Sequence, residues 1–110
     1  MKESTAKQIT SMLQEVVDKE YGTIYKQLDK KGNQVAIKTG TTNYSKNEAN
    51  FGYNLVPDSW AVGYTKDYTI AVWQGYNERT KGLGYGTESK LAVQGFEIIL
   101  NQLGVKDTKF

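Results

Sequence analysis

The sequence predicts an α+β fold, a three-stranded antiparallel sheet flanked by an N-terminal and a C-terminal helix. Three observations carry that reading. Apolar residues recur at helical spacing near each end of the chain, runs rich in β-branched and aromatic residues lie between them, and the last two runs are separated by a spacer of hairpin length. The N-terminal helix rests on Ile9, Met12, Leu13, Val16 and Val17, which share one face at i, i+3, i+4, i+7 and i+8. Thr5 with Gln8 reads as a capping box at its start, and Gly22 as its stop. A polar connection from Thr23 through the turn Lys30-Lys31-Gly32-Asn33 leads to the first strand, Val35 to Thr42. Asn43 to Pro57, dense in Asn, Ser and Lys, reads as a loop long enough to imply a functional reason for its length.

Ser59 to Tyr64 and Tyr68 to Gln74 read as two strands joined through Thr65-Lys66-Asp67, with Ser59 to Tyr64 in the middle of the sheet. The Gly-rich stretch Gly75 to Gly86 reads as a loop into a second helix, about Glu88 to Leu103, with Thr87 as cap and Gly104 as stop. Ala92, Phe96, Ile99 and Leu103 form its expected buried stripe. Gly95 inside this helix costs about 1 kcal/mol relative to Ala, which implies close packing on the sheet. The two helices are expected on opposite faces.

With 110 residues the chain has room for one domain and no second. The absence of His and Cys excludes a Ser-His-Asp triad, a thiolate nucleophile, a disulfide and His or Cys metal ligands. Nucleophilic chemistry would have to run on Ser, Thr, Tyr, Lys or carboxylates. A net charge of +2, scattered along the chain, argues against a nucleic-acid footprint. The longest apolar runs, such as Ile70 to Trp73, fall far short of a membrane span, and no signal peptide is expected.

Three short patterns could carry chemistry. Ser4-Thr5-Ala6-Lys7 fits S-x-x-K, in which a Lys one turn on takes the Ser proton, but it stands at the exposed start of a helix, where Ser and Thr serve as caps. Gly82-Leu83-Gly84-Tyr85-Gly86-Thr87 before a helix suggests a phosphate cradle, yet lacks the spacing of G-x-G-x-x-G and the Lys of a P-loop, so it reads as a flexible connection. Lys38-Thr39-Gly40-Thr41-Thr42 ends a strand, with Lys38 on one face and the hydroxyls of Thr39 and Thr41 on the other. Such an edge can offer a cation, two hydroxyls for a carboxylate, and backbone N–H groups to an oxyanion or an added strand. Gly40 leaves the backbone open to close approach, and the competing reading is a solvated edge with a gatekeeper Lys.

K-T-G is one of three motifs of class A β-lactamases and penicillin-binding proteins. The resemblance extends through Ala36-Ile37-Lys38-Thr39-Gly40-Thr41-Thr42, Asp58-Ser59-Trp60-Ala61-Val62-Gly63-Tyr64-Thr65 and Ala71-Val72-Trp73-Gln74-Gly75-Tyr76. Together with the opening helix, about Ser4 to Leu103 resembles the end of the transpeptidase domain of a bifunctional, class A penicillin-binding protein. The fold so implied is part of the penicillin-binding protein and serine β-lactamase-like fold. In that family S-x-x-K and S-x-N both precede K-T-G. Ser45-Lys46-Asn47 matches S-x-N but follows K-T-G, so the chain is expected to be a C-terminal portion that lacks the nucleophile and is inactive by itself.

The resemblance implies a parent that forms an acyl-enzyme on an upstream Ser with a peptidoglycan stem peptide, is acylated there by β-lactams, and works at the extracytoplasmic face of the bacterial membrane. It implies catalytic roles for Lys38 and Thr41 and substrate binding by Lys38, Thr39, Gly40 and Thr41, with no metal or organic cofactor. Lys38 would contact the Ser of the S-x-N motif. Thr39 and Thr41 would hold the terminal carboxylate, with the Thr41 N–H as half of the oxyanion hole. The expected partners are the upstream half of the domain and, beside Tyr68 to Gln74, a strand of a second copy in a homodimer, weakened by Val72→Lys or Pro. Two other readings stand beside this one. The first is a non-catalytic sheet module whose eight Tyr, Trp60 and Trp73 stack on glycan or bind peptide, and the second is a D,D-carboxypeptidase or β-lactamase-like hydrolase.

Overall fold

A computed structural model describes residues 1–25, 27–28, 34–45, 48, 54–86, 88–104 and 109–110. The order of elements is α1 (Glu3–Asp18), β1 (Ala36–Thr41), β2 (Leu55–Val56), β3 (Asp58–Tyr64), β4 (Thr69–Gly75), β5 (Leu83–Gly84) and α2 (Leu91–Gln102), with a 3-10 turn at Glu88–Lys90 before α2. The expected α+β architecture is present: β1, β3 and β4 form an antiparallel sheet in that order, with β3 in the middle. A small ribbon of β2 and β5, read from sequence as two loops, is added to it. The Lys30 to Asn33 turn and Thr87 lie outside the described residues.

α1 starts earlier than its expected cap. Lys2 holds the N-cap position without a side-chain hydrogen bond, so Thr5 lies inside the helix and the capping box with Gln8 does not form. At the other end Lys19 N–H returns to Glu15 O at 3.1 Å, and Gly22 folds back onto the last turn. A Cβ at Gly22 would stand 2.3 Å from Val16 O, so only glycine allows Ile24 N–H to reach that carbonyl at 3.3 Å. Val17 is buried and Met12 is exposed, so the buried side of α1 is narrower than its periodicity suggests.

The sheet register runs from Ala36 opposite Tyr64 to Thr41 opposite Ser59, and from Asp58 opposite Gly75 to Tyr64 opposite Thr69. Antiparallel pairs alternate between those that exchange both hydrogen bonds and those that exchange none. Thr42 N–H donates to Asp58 O at 3.2 Å, which makes the even-numbered residues of β1 the bonded ones. Thr39 and Thr41 therefore turn their N–H and C=O groups away from β3. By the same alternation Thr65 N–H to Tyr68 O, 2.8 Å, leaves Thr69, Ala71, Trp73 and Gly75 facing away from β3 along β4. The β3–β4 turn closes on buried Thr65, whose Oγ1 accepts from Asp67 N–H at 3.2 Å and Tyr68 N–H at 3.1 Å.

α2 packs on β3 and β4, whereas α1 packs on β1. Fully buried Phe96 of α2 meets the face that carries Ile37, Ala61, Gly63 and Ile70, and its burial contributes about 2 kcal/mol. Tyr64 alternates to the other face, and its hydroxyl meets Thr10 Oγ1 of α1 at 2.6 Å. α2 buries Ala92, Val93, Phe96 and Leu100, while Ile99 and Leu103 are 37% and 39% exposed. The stripe is rotated from the expected one because α2 crosses two strands, and the sheet surface selects which residues it covers.

Candidate functional site

Lys38, Thr39, Gly40 and Thr41 lie together on the outer strand of the sheet, where alternation separates their roles. Thr39 and Thr41 share the α2 face with Ile37, opposite Ala61 and Ser59. Lys38 starts from the other face and its Nζ returns to the edge, donating to Thr39 O at 2.7 Å. That carbonyl is one of the groups turned away from β3, so the ammonium and the free backbone groups occupy the same border of the sheet.

A cleft of about 490 Å³ opens along this border. One side is Lys38 to Thr41 with Ser59. The others are Thr23, Ile24 and Gln27 after α1, Tyr85 and Gly86 after β5, and Ser89, Lys90 and Val93 at the start of α2. Ile24 and Val93 are buried and apolar, while hydroxyls and the two lysines supply its polar groups. No carboxylate is among the lining residues, which makes the cleft suited to an anion or an uncharged peptide.

Two hydrogen bonds fix the wall opposite the β1 edge. Ser59 Oγ donates to Ser89 O at 2.6 Å, and Ser89 Oγ accepts from Gly86 N–H at 2.9 Å. Ser59 is opposite Thr41 in the sheet register, so these bonds tie the segment after β5 to the end of β1. The Gly-rich run is thus partly a strand and partly cleft wall rather than a flexible connection. Sequence reasoning passed over Tyr85, Gly86, Ser89 and Lys90, although the glycines before the helix were the available signal.

The remaining patterns are accounted for otherwise. Ser4 and Lys7 lie in the exposed first turns of α1, where Lys7 Nζ pairs with Glu3 Oε1 at 3.0 Å rather than activating a hydroxyl. Ser45 N–H and Oγ both donate to Glu48 Oε1, at 3.0 and 2.9 Å, while Lys46 and Asn47 lie outside the described residues. Arg79 engages both Glu48 oxygens and lies over the Tyr44 ring, its guanidinium carbon 5.7 Å from the centroid. Arg79 and the Ser45 N–H bring the Glu48 pKa down to about 2. This group joins the segment after β1 to the segment after β4.

Comparison with known proteins gives consistent results. Residues 1–97 match the family model of the penicillin binding protein transpeptidase domain. The chain is similar to penicillin-binding protein 1A/1B of Bacillus subtilis (strain 168), 43% identical over 86 residues that cover 74% of the chain and 9% of that protein. It is 41% identical over 88 residues to penicillin-binding protein 1A of Streptococcus oralis, covering 72% of the chain and 13% of that protein. With penicillin-binding protein 1A of Pseudomonas aeruginosa the identity is 40% over 74 residues, covering 67% and 7%. The chain spans about a tenth of the length of these curated relatives.

Proposed function

The chain belongs to the penicillin-binding protein transpeptidase family, and we propose that it supplies the K-T-G substrate-binding strand of a peptidoglycan D,D-transpeptidase. The observation that carries the reading is the outward direction of the Thr41 N–H, on an edge that also holds Lys38 and the Thr39 and Thr41 hydroxyls and borders the cleft. An N–H committed to β3 could not serve a reacting carbonyl.

In this reading a serine outside the chain attacks the carbonyl of the penultimate D-Ala of a stem peptide. The developing oxyanion accepts the Thr41 N–H, and the terminal carboxylate accepts the Thr39 and Thr41 hydroxyls. The C–N bond breaks and the terminal D-Ala leaves as an amine, taking a proton from the active-site general acid. Lys38 lowers the cost of that transfer through its positive charge. An amine of a neighbouring stem then attacks the ester, restoring the serine and completing the cross-link. β-Lactams acylate the same serine.

The remainder of the domain is the partner that brings the serine, and the site works on the extracytoplasmic side of the bacterial membrane. No helix among the described residues is long and apolar enough to cross a membrane.

The test is acylation of the complete protein by a fluorescent penicillin. Thr41→Pro removes the outward N–H while leaving the β1–β3 ladder intact, and is expected to slow acylation about 100-fold or more. Unchanged acylation by a folded variant refutes the role given to that N–H. Product analysis with an added acceptor amine distinguishes transfer from a D,D-carboxypeptidase or β-lactamase-like hydrolysis, in which water replaces the amine.

A further inference from the structure

We propose that Lys90 is a substrate-binding residue of this cleft, the cation that recognises the terminal carboxylate of the stem peptide. The inference rests on the transpeptidase reading and adds to it a residue outside the K-T-G strand. Threonine hydroxyls donate to a carboxylate and to an amide oxygen alike, so Thr39 and Thr41 alone cannot select a charged terminus. A cation is required for that distinction. Lys38 spends a hydrogen bond on the Thr39 carbonyl at 2.7 Å, and its side chain starts from the face opposite the two hydroxyls. Lys90 is the second cation of the cleft and has no hydrogen bond or ion pair among the described residues.

Its position supports the assignment. Lys90 directly follows Ser89, whose carbonyl is bonded to Ser59, and Ser59 is opposite Thr41. Lys90 therefore enters the cleft at the Thr41 end, where the carboxylate is placed. With no acidic side chain in the lining, no internal partner competes for the ammonium there. Local stability does not explain this choice of residue. Lys90 occupies the N-cap of α2 without a side-chain cap, where Ser, Thr, Asp or Asn would stabilise the helix and a cation is disfavoured. A residue that opposes the local preference at the mouth of a cleft fits recognition rather than folding.

The experiment is an NMR titration of the chain with an acyl-D-Ala-D-Ala peptide and, separately, with its C-terminal amide, following the backbone resonances of Thr39, Gly40 and Thr41. The native chain is expected to bind the carboxylate form about tenfold more tightly. Lys90→Gln should abolish this preference while leaving amide binding within about twofold, and Lys90→Arg should retain it. Resonances of Phe96 and Ile37 report whether each variant is folded. If the preference survives Lys90→Gln and disappears in Lys38→Gln, Lys38 is the reader and the proposal is overturned while the transpeptidase reading stands. If neither peptide moves the Thr39 to Thr41 resonances of the native chain, the transpeptidase reading falls and this inference falls with it.

Discussion

Trp73 Nε1 on β4 donates to Asp58 Oδ1 on β3 at 2.9 Å, and Thr42 Oγ1 beyond the end of β1 donates to Oδ2 of the same carboxylate at 2.8 Å. One side chain on the middle strand thus holds both outer strands at the end of the sheet where K-T-G stops. The Trp73 N–H and the Thr42 hydroxyl stabilise the charged form, which keeps the Asp58 carboxyl below its ordinary range.

Because the folded pKa of Asp58 is lowered, its contribution is complete above the unfolded value of about 3.9 and disappears as pH falls through the folded one. Asp58→Ala is expected to lose about 1 kcal/mol at pH 7, since both bonds are solvent-exposed. Urea unfolding at pH 7 and pH 2 checks this. An equal loss at both pH values would mean that the carboxylate charge is irrelevant.

The Glu48 pair makes a sharper pH statement. Its carboxyl should titrate near 2, and the stability it brings is full above about 4.3 and lost as pH falls through about 2. Carboxyl carbon shifts report the midpoint directly. Arg79→Ala should return it toward the ordinary range, and a midpoint near 4 in the native chain would contradict the bidentate geometry.

These two carboxylates show what the sequence did and did not disclose. The periodicity of α1, the strands around Lys38, Trp60 and Val72, and the turn at Thr65 were legible because each rests on neighbours in the chain. Asp58 and Glu48 gave no signal, since their partners lie 15 to 31 residues away. The cleft was half legible. K-T-G identifies one wall by itself, but the other wall exists only through the Ser59–Ser89 bond and the β2–β5 ribbon, both long-range. The Ile99 and Leu103 misassignment has the same origin, because periodicity defines a stripe only to within a residue.

Glycine positions separate packing from propensity. A Cβ at Gly63 would stand 2.5 Å from Ala36 O, a backbone atom of the paired strand, and 2.9 Å from Phe96 Cζ. One at Gly95 would meet only Val72 Cγ1 at 3.4 Å, so the close packing expected there leaves room for a methyl group. Gly63→Ala should cost about 1 to 3 kcal/mol through overpacking, and Gly95→Ala should stabilise by about 0.5 to 1 kcal/mol. Thermal melts of the two variants moving in the same direction would contradict this.

The chain by itself is expected to form no covalent adduct with penicillin. Ser4 lies at the exposed start of α1, and its neighbouring Lys7 is paired with Glu3. Intact-mass spectrometry after incubation with a reactive β-lactam reads the outcome. A stoichiometric adduct at Ser4 would refute the reading of that motif as an incidental helix start.

The last expectation concerns the outer edge of β4, which has no strand beside it among the described residues. Thr69, Ala71, Trp73 and Gly75 direct their N–H and C=O groups outward, and the strand carries no Pro, no Lys and no other charge to discourage pairing. Antiparallel pairing of two copies about Val72 would place Ala71 of one opposite Trp73 of the other. It would extend the exposed row of Trp60 and Trp73 across the junction, with no like charges opposed within the strand. The structure also changes which substitution tests the idea. Val72 packs against the core beneath Gly95, and its N–H belongs to the bond with β3, so Val72→Lys or Pro would damage the fold itself. Ala71 is exposed and its N–H faces outward, so Ala71→Pro removes an edge donor without breaking the internal ladder. Sedimentation at micromolar concentration should show a dimer for the native chain and a monomer for Ala71→Pro with an unchanged circular dichroism spectrum. A native chain that sediments as a monomer, or an Ala71→Pro variant that remains dimeric, would show that this edge is not the pairing surface.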